Sequence, residues 1–160
     1  FGFLQTSDLS NNTNATVANS TQISTNATMA NSTQISKTVQ ITAADSKAAT
    51  DGNSVDIDLQ IQPFPISKDV DSQFMITFLQ PSSQTVQVHV DYDFAITNND
   101  SEVFRASTKT GQPLLHTAEG IVKIPYKFDQ GGEYSLQVSV MGINFIPIKT
   151  EQALFDLKVR

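Results

Sequence analysis

Along residues 1–41 the large apolar side chains fall almost entirely on odd positions. Val17, Ile23, Met29, Ile35 and Ile41 recur every six residues; Phe1, Phe3, Leu9 and Val39 keep the same parity, and Leu4 is the exception. Alternate side chains of an extended strand point to one face, so the spacing predicts strand with a single apolar flank. The spacing of three and four that a helix needs is missing, and Asn, Thr and β-branched residues disfavour helix as well. Extended at ~3.3 Å per residue, a segment of about 36 residues would reach on the order of 100 Å. The rest of the chain, if compact, has a radius of gyration near ~14 Å. The arm is therefore too long to be used up as one strand on its own domain.

From Lys37 onward the pattern becomes a series of short alternating runs. Thr38–Thr42 is brief. In Val55–Ile61 the set Val55, Ile57, Leu59 and Ile61 is expected to face inward. Phe74–Leu79 is apolar on both faces, as a central strand would be. Val86, Val88, Val90, Tyr92, Phe94 and Ile96 predict one long strand; Val103–Phe104 is weak and Ile121–Phe128 follows Gly120. Tyr134, Leu136, Val138 and Val140 form another run, and Ala153, Phe155, Leu157 and Val159 the last. Turn signals separate them at Pro81-Ser-Ser, Asn98-Asn-Asp, Lys109-Thr-Gly-Gln-Pro and Asp129-Gln-Gly-Gly. Seven or eight such strands predict an all-β fold, an immunoglobulin-like Greek-key β-sandwich over residues 37–160 with a long extended N-terminal arm over residues 1–36. Tyr134 after the Gly-rich corner matches the position of a tyrosine corner, and Pro125 and Pro147 inside strand-like runs predict edges or bulges.

The arm has a second property. Beginning at Asn14, NATVANSTQIST is followed at Asn26 by NATMANSTQISK, and this repeat carries Asn-X-Ser/Thr acceptors at Asn14, Asn19, Asn26 and Asn31. Asn11 precedes them, and Asn99 is the one acceptor outside the arm. Such a cluster has meaning only where a glycosyl transferase meets the chain across a membrane, so it predicts an exported protein bearing N-glycans. The chain opens at Phe1 with neither Met nor a charged-apolar-small leader, which reads as a mature product with its signal peptide removed. No apolar run is long enough to span a bilayer.

Composition narrows the partners. Net charge is −6 and the ten Lys and Arg are scattered, which argues against nucleic acid and against anionic membrane. Cysteine is absent from all 160 residues, so disulfides, thiolate metal sites and cysteine catalysis are excluded.

The stretch from His89 to Val159 resembles secreted immunoglobulin-like domains of archaea, particularly ammonia-oxidising lineages. The residues that carry the likeness are VDYDFAITNND, LLHTAEGIVKIPYKF, GGEYSLQVSVMGINFIPI and ALFDLKV. It covers a little under half the chain and implies fold and lineage rather than activity.

Chemistry is sparse. His89 is expected on a strand with an apolar opposite face and His116 in a turn-like stretch. With Met141 but no Cys they cannot form a blue-copper site. The acidic pairs Asp56/Asp58, Asp69/Asp71 and Asp91/Asp93 are more simply the solvent faces of strands, Asp69/Asp71 being the best placed for calcium. No GxSxG, HExxH or phosphate-loop pattern is present. The reading is of a non-enzyme without cofactor or metal. It is expected to be a structural subunit of an extracellular glycosylated filament, a pilus or thread. That filament would be a homopolymer built head-to-tail by donation of the N-terminal strand. Phe1, Phe3, Leu4 and Leu9 are the donor candidates, with Ile35–Ile41 second, the alternative for that stretch being a strand of its own subunit. The alternative is a monomeric cell-surface or adhesion domain on a glycosylated stalk.

Overall fold

The computed structural model describes residues 37–160, which form two facing β-sheets with one short helix. The strands are β1 (Thr38–Gln40), β2 (Asp45–Ala49), β3 (Asp56–Gln62), β4 (Asp71–Leu79), β5 (Val90–Asn98), β6 (Ser101–Arg105), β7 (Leu115–Thr117), β8 (Ile121–Lys127), β9 (Gly132–Ile143) and β10 (Ile146–Val159). Helix α1 (Ala106–Thr110) follows β6 and stops at Gly111, whose left-handed φ of 75° suits glycine. Sheet one runs β1-β10-β9-β5-β6, with β7 also paired to β5; sheet two runs β2-β3-β4-β8. Neighbouring strands are antiparallel except β1, which lies parallel to β10 with Val39 opposite Phe155.

The inward residues expected of β3 are all buried: Val55, Ile57, Leu59 and Ile61. They face Val90, Tyr92, Phe94 and Ile96 of β5, Leu136, Val138 and Val140 of β9, and Ala153, Phe155, Leu157 and Val159 of β10 in one continuous core. Each such side chain contributes about 1.5–3 kcal/mol on leaving water. Aromatic rings stitch the two layers. Phe74 of β4 meets Phe94 at 5.3 Å and Phe128 at 6.2 Å, and Phe128 in turn meets Tyr134 edge-on at 4.7 Å. β4 is central in its sheet, as its two-sided apolar content predicts.

Both strand prolines sit where the missing N–H does no harm. β8 is the edge of sheet two, and Pro147 lies beside a break in the β9–β10 register between Pro147 and Glu151. The Tyr134 hydroxyl donates to the Gln130 carbonyl at 2.8 Å, the tie-back that the Gly-rich corner implies.

Three parts differ from expectation. The run Val86–Ile96 is not one strand: it breaks at His89, which has φ of 52°. Here the chain crosses from sheet two to sheet one. Gln87 N–H bonds to the Phe78 carbonyl on one side, and His89 N–H to Ala118 on the other. Val86 and Val88 are left exposed. β2 (DSKAA) lacks β-forming residues and exists because β3 offers an unpaired edge, on which Asp45–Ala49 lies antiparallel. β7 is likewise a short patch on β5.

Replacing Tyr134 by Phe keeps the ring contact and removes the bond to Gln130. We expect a loss of about 1 kcal/mol, seen as a lower urea midpoint at unchanged m-value. An unshifted midpoint would mean that the corner is held by ring packing alone.

Candidate assembly and glycosylation surfaces

The acceptors Asn11, Asn14, Asn19, Asn26 and Asn31 and the donor candidates Phe1, Phe3, Leu4 and Leu9 lie outside the described residues. Asn99 is described. It sits with Asp100 at the tip of the two-residue β5–β6 hairpin, with φ values of 50° and 63°, and both residues are exposed. Positive φ at both loop positions is the signature of a type I′ turn, for which Asn and Asp are favoured residues. A sequon here presents its amide to solvent, clear of either sheet.

The second donor candidate is used at home over its described part. Val39 and Ile41 pack on the core of their own domain, Ile41 N–H bonds to the Asp156 carbonyl at 2.9 Å, and Gln40 donates to the Asp156 carboxylate at 2.8 Å. The chain therefore joins its own sheet at Thr38, directly after the arm.

One flank of the sandwich is thinly covered. Among the described residues β8 pairs with β4 on one side only. Phe78 N–H bonds to the Gly120 carbonyl, so in the antiparallel register Val122, Ile124 and Tyr126 also turn their backbone groups toward β4. Ile121, Lys123, Pro125 and Lys127 turn theirs outward. Pro125 thus withholds a donor at the free edge, one of the usual ways to blunt it. Across the rim, Phe104 of β6 meets Tyr126 of β8 at 5.0 Å; these two and Val122 are half-buried, while Ile121 is exposed. Among the described residues the core is covered rather than grooved, so strand addition on this domain has an edge to use, not an open interior.

Two carboxylates, Asp93 buried and Glu151 half-buried, fasten segments across the fold. Asp93 in β5 accepts from Arg105 Nη1 at 2.9 Å, Ser107 Oγ at 2.6 Å, and the backbone N–H groups of Phe94 and Ser107. Burial alone would raise its pKa, but bonds from Ser107, Arg105 and the backbone outweigh that and hold it below the ordinary carboxylate range. Glu151 accepts from Thr50 Oγ1 at 2.6 Å and from Ser54 N–H at 3.0 Å, clasping the β2–β3 loop to β10.

The acidic pairs do not converge as cation sites. Asp69 and Asp71 are strongly exposed and stand near Lys68 and Lys127 respectively. Asp91 and Asp93 serve different neighbours: Asp93 the Arg105 lock, Asp91 the His116 ring at 2.7 Å. The histidines also depart from expectation. His116 is in strand β7, while His89 is the left-handed residue before β5, and the two rings meet with His89 Nδ1 3.4 Å from His116 Nε2. No sequence signal pairs residues this far apart; the β5–β7 register brings them together.

The comparisons with known proteins add little. No family model matches the chain and no curated protein matches it. Among solved structures it is similar to the PmoD soluble domain from Methylocystis sp. (Rockwell), at 15% identity and a TM-score of 0.38. That match covers 65% of this chain and 92% of that one.

Asp58, on the outer face of sheet two, has its pKa pushed up to about 6. Burial is the first cause, followed by a carboxyl–carboxyl hydrogen bond and repulsion from Asp45, with Lys47 opposing. A carboxyl raised in the folded state binds its proton more tightly there than in the unfolded chain. Its contribution therefore favours folding at low pH and is lost as pH rises from about 4 to about 6. Asp58→Asn should raise the melting temperature at pH 7 by a few degrees and leave it unchanged at pH 4, solvent screening holding the gain to about 1 kcal/mol. An equal shift at both pH values would show that the carboxyl pair is not its source.

Proposed function

We propose that this chain is a structural subunit of an extracellular, N-glycosylated filament, in which the N-terminal arm of one copy adds as a strand to the next. The observation that carries the reading is the point of entry. The chain joins its own sheet at Thr38, while an arm of alternating apolar residues lies before it, too long for a single strand at home. The sandwich also has a receptive flank, the outward edge of β8 with Ile121 on it and Phe104 and Tyr126 beside it. Main-chain bonds along that edge would supply affinity, and the rim side chains would receive the apolar flank of the arm. Such a contact is head-to-tail and propagates without closing.

The order of strands supports an immunoglobulin-like Greek-key sandwich. β4 pairs with β8 in one layer and β5 with β9 in the other, as the second and fifth, and third and sixth, strands of that fold do. Among the described residues no strand flanks the other side of β8, and that edge is the proposed acceptor. Phe1, Phe3 and Leu9 are the proposed plug, with Leu4 on the opposite face. Sugars on Asn11, Asn14, Asn19, Asn26, Asn31 and Asn99 would coat the assembled surface. The reading assigns the chain no catalysis and no cofactor.

Deleting Phe1–Leu9 should leave a folded monomer by size-exclusion chromatography, where the full chain gives filaments by electron microscopy. Ile121→Lys, on the acceptor strand itself, should block filaments equally while moving monomer stability by only about 0.5 kcal/mol, since the side chain is exposed. Filaments that survive the deletion would remove the proposed donor. A full chain that stays monomeric would instead favour a cell-surface or adhesion domain on a glycosylated stalk.

A further inference from the structure

At the end of the sandwich where β5, β7 and the β9–β10 hairpin meet, two imidazoles, a carboxylate and a phenyl ring form a cluster unrelated to the β8 flank. Asp91 and His116 are cross-strand partners, and the Asp91 carboxylate accepts from His116 Nδ1 at 2.7 Å. That bond fixes the tautomer: with its proton on Nδ1, His116 presents an unprotonated Nε2. Gly142, opposite Asp91 on β9, leaves the space the carboxylate occupies, since a Cβ there would strike it.

His116 Nε2 faces His89 Nδ1 at 3.4 Å. This is long for a hydrogen bond, where donor and acceptor nitrogens approach to about 3 Å. It is, however, the separation of two ligands on one ion. Imidazole nitrogens each ~2.05 Å from a metal, at the tetrahedral angle, stand about 3.3–3.4 Å apart. A carboxylate on the far nitrogen of a ligating histidine is also the usual outer partner of such sites, fixing ring orientation and raising basicity.

Backbone conformation is bent toward the same arrangement. His89 and Phe145 both take left-handed φ, 52° and 67°, a state that histidine adopts more readily than most residues and that is unusual for a side chain as bulky as phenylalanine. These two meet with ring centroids 4.3 Å apart, and Phe145 also stacks on His116 at 5.5 Å. The phenyl ring thus lies against both imidazoles and restrains them.

We infer that His89 Nδ1 and His116 Nε2 form a two-nitrogen site for one divalent transition-metal ion of the imidazole-preferring class, with Asp91 as its outer partner. Cu²⁺ binds tightest by the Irving–Williams order, ahead of Zn²⁺. Among the described residues no group of three or more His, Cys, Asp or Glu could hold an ion, so two protein ligands are supplied and water completes the sphere. With His116 and Asp91 side chains 36% and 25% exposed, solvent reaches the site. On binding, the ion takes the place of the proton on His89 Nδ1, which moves to Nε2, and both rings stay neutral.

The test is titration of the full chain with Cu²⁺ and, separately, Zn²⁺ by calorimetry, with electron paramagnetic resonance of the copper form. One ion per chain is expected, with hyperfine structure from two imidazole nitrogens. His116→Gln should weaken binding at least tenfold and leave one coupled nitrogen. His89→Asn should do the same, Asn being chosen because it tolerates left-handed backbone. Asp91→Asn, which keeps the hydrogen bond and drops the charge, should weaken binding about tenfold with two nitrogens retained. Circular dichroism of each variant checks the fold. Absence of one-to-one binding, or binding in His116→Gln or His89→Asn as tight as in the unsubstituted chain, would overturn the assignment.

Discussion

Apolar contact between the inner faces of two sheets has to hold this domain together, because no cysteine is available to cross-link them. Phe74, Phe94 and Phe128 stand at the centre of that contact and bridge the layers where a covalent tie would otherwise be useful. The net stability of a domain is only about 5–15 kcal/mol, so one such ring is a large share of it. From Phe128 the ring contacts continue outward through Tyr126 at 4.7 Å to Phe104 at the β6–β8 rim. The rim is therefore continuous with the interior. A strand added there extends an apolar layer already ordered, which reduces the entropy lost on forming the contact.

Polar fasteners act where the chain changes direction or sheet. Asp93 receives four hydrogen bonds and fixes β6 and the start of α1 against β5; Glu151 does the same for the β2–β3 loop against β10. Neither arrangement is a strong source of net stability, since the charge had to leave water first. What each adds is geometry: for Asp93, which is buried, the alternatives leave a carboxylate unpaired at a cost of several kcal/mol. Register is thus specified by penalties on the wrong pairing as much as by attraction in the right one.

The layered all-β architecture could be read from periodicity because the inner strands obey it. Val55 to Ile61, Tyr134 to Val140 and Ala153 to Val159 place their apolar set on the predicted face, and Phe74 to Leu79 is central as its two-sided pattern implies. Edge elements escaped because their cause is not in their own residues. Asp45–Ala49 becomes a strand by pairing with β3, and Leu115–Thr117 by pairing with β5. The break at His89 escaped for the opposite reason. Alternation continues through it unchanged, and only the inter-sheet crossing shows why the chain must turn. The histidine cluster was hidden in the same way, since a register between non-adjacent strands assembles it.

Turn chemistry separates the ordinary hairpin from the unusual one. The β5–β6 hairpin places Asn99 and Asp100 at its two positive-φ positions, a choice that local energetics alone would make. The β9–β10 hairpin makes the same two-residue turn with Asn144 and Phe145. Asn is again the expected residue, but a phenylalanine with positive φ costs on the order of 1–3 kcal/mol and leaves its ring 70% exposed. Neither turn geometry nor burial accounts for that residue, because glycine would serve the first better and a polar side chain the second. Its contacts on His89 and His116 do account for it. Sequences that fold well break local rules mainly where something else is selected. Here the breach falls on the ring that packs against the one pair of convergent imidazoles among the described residues.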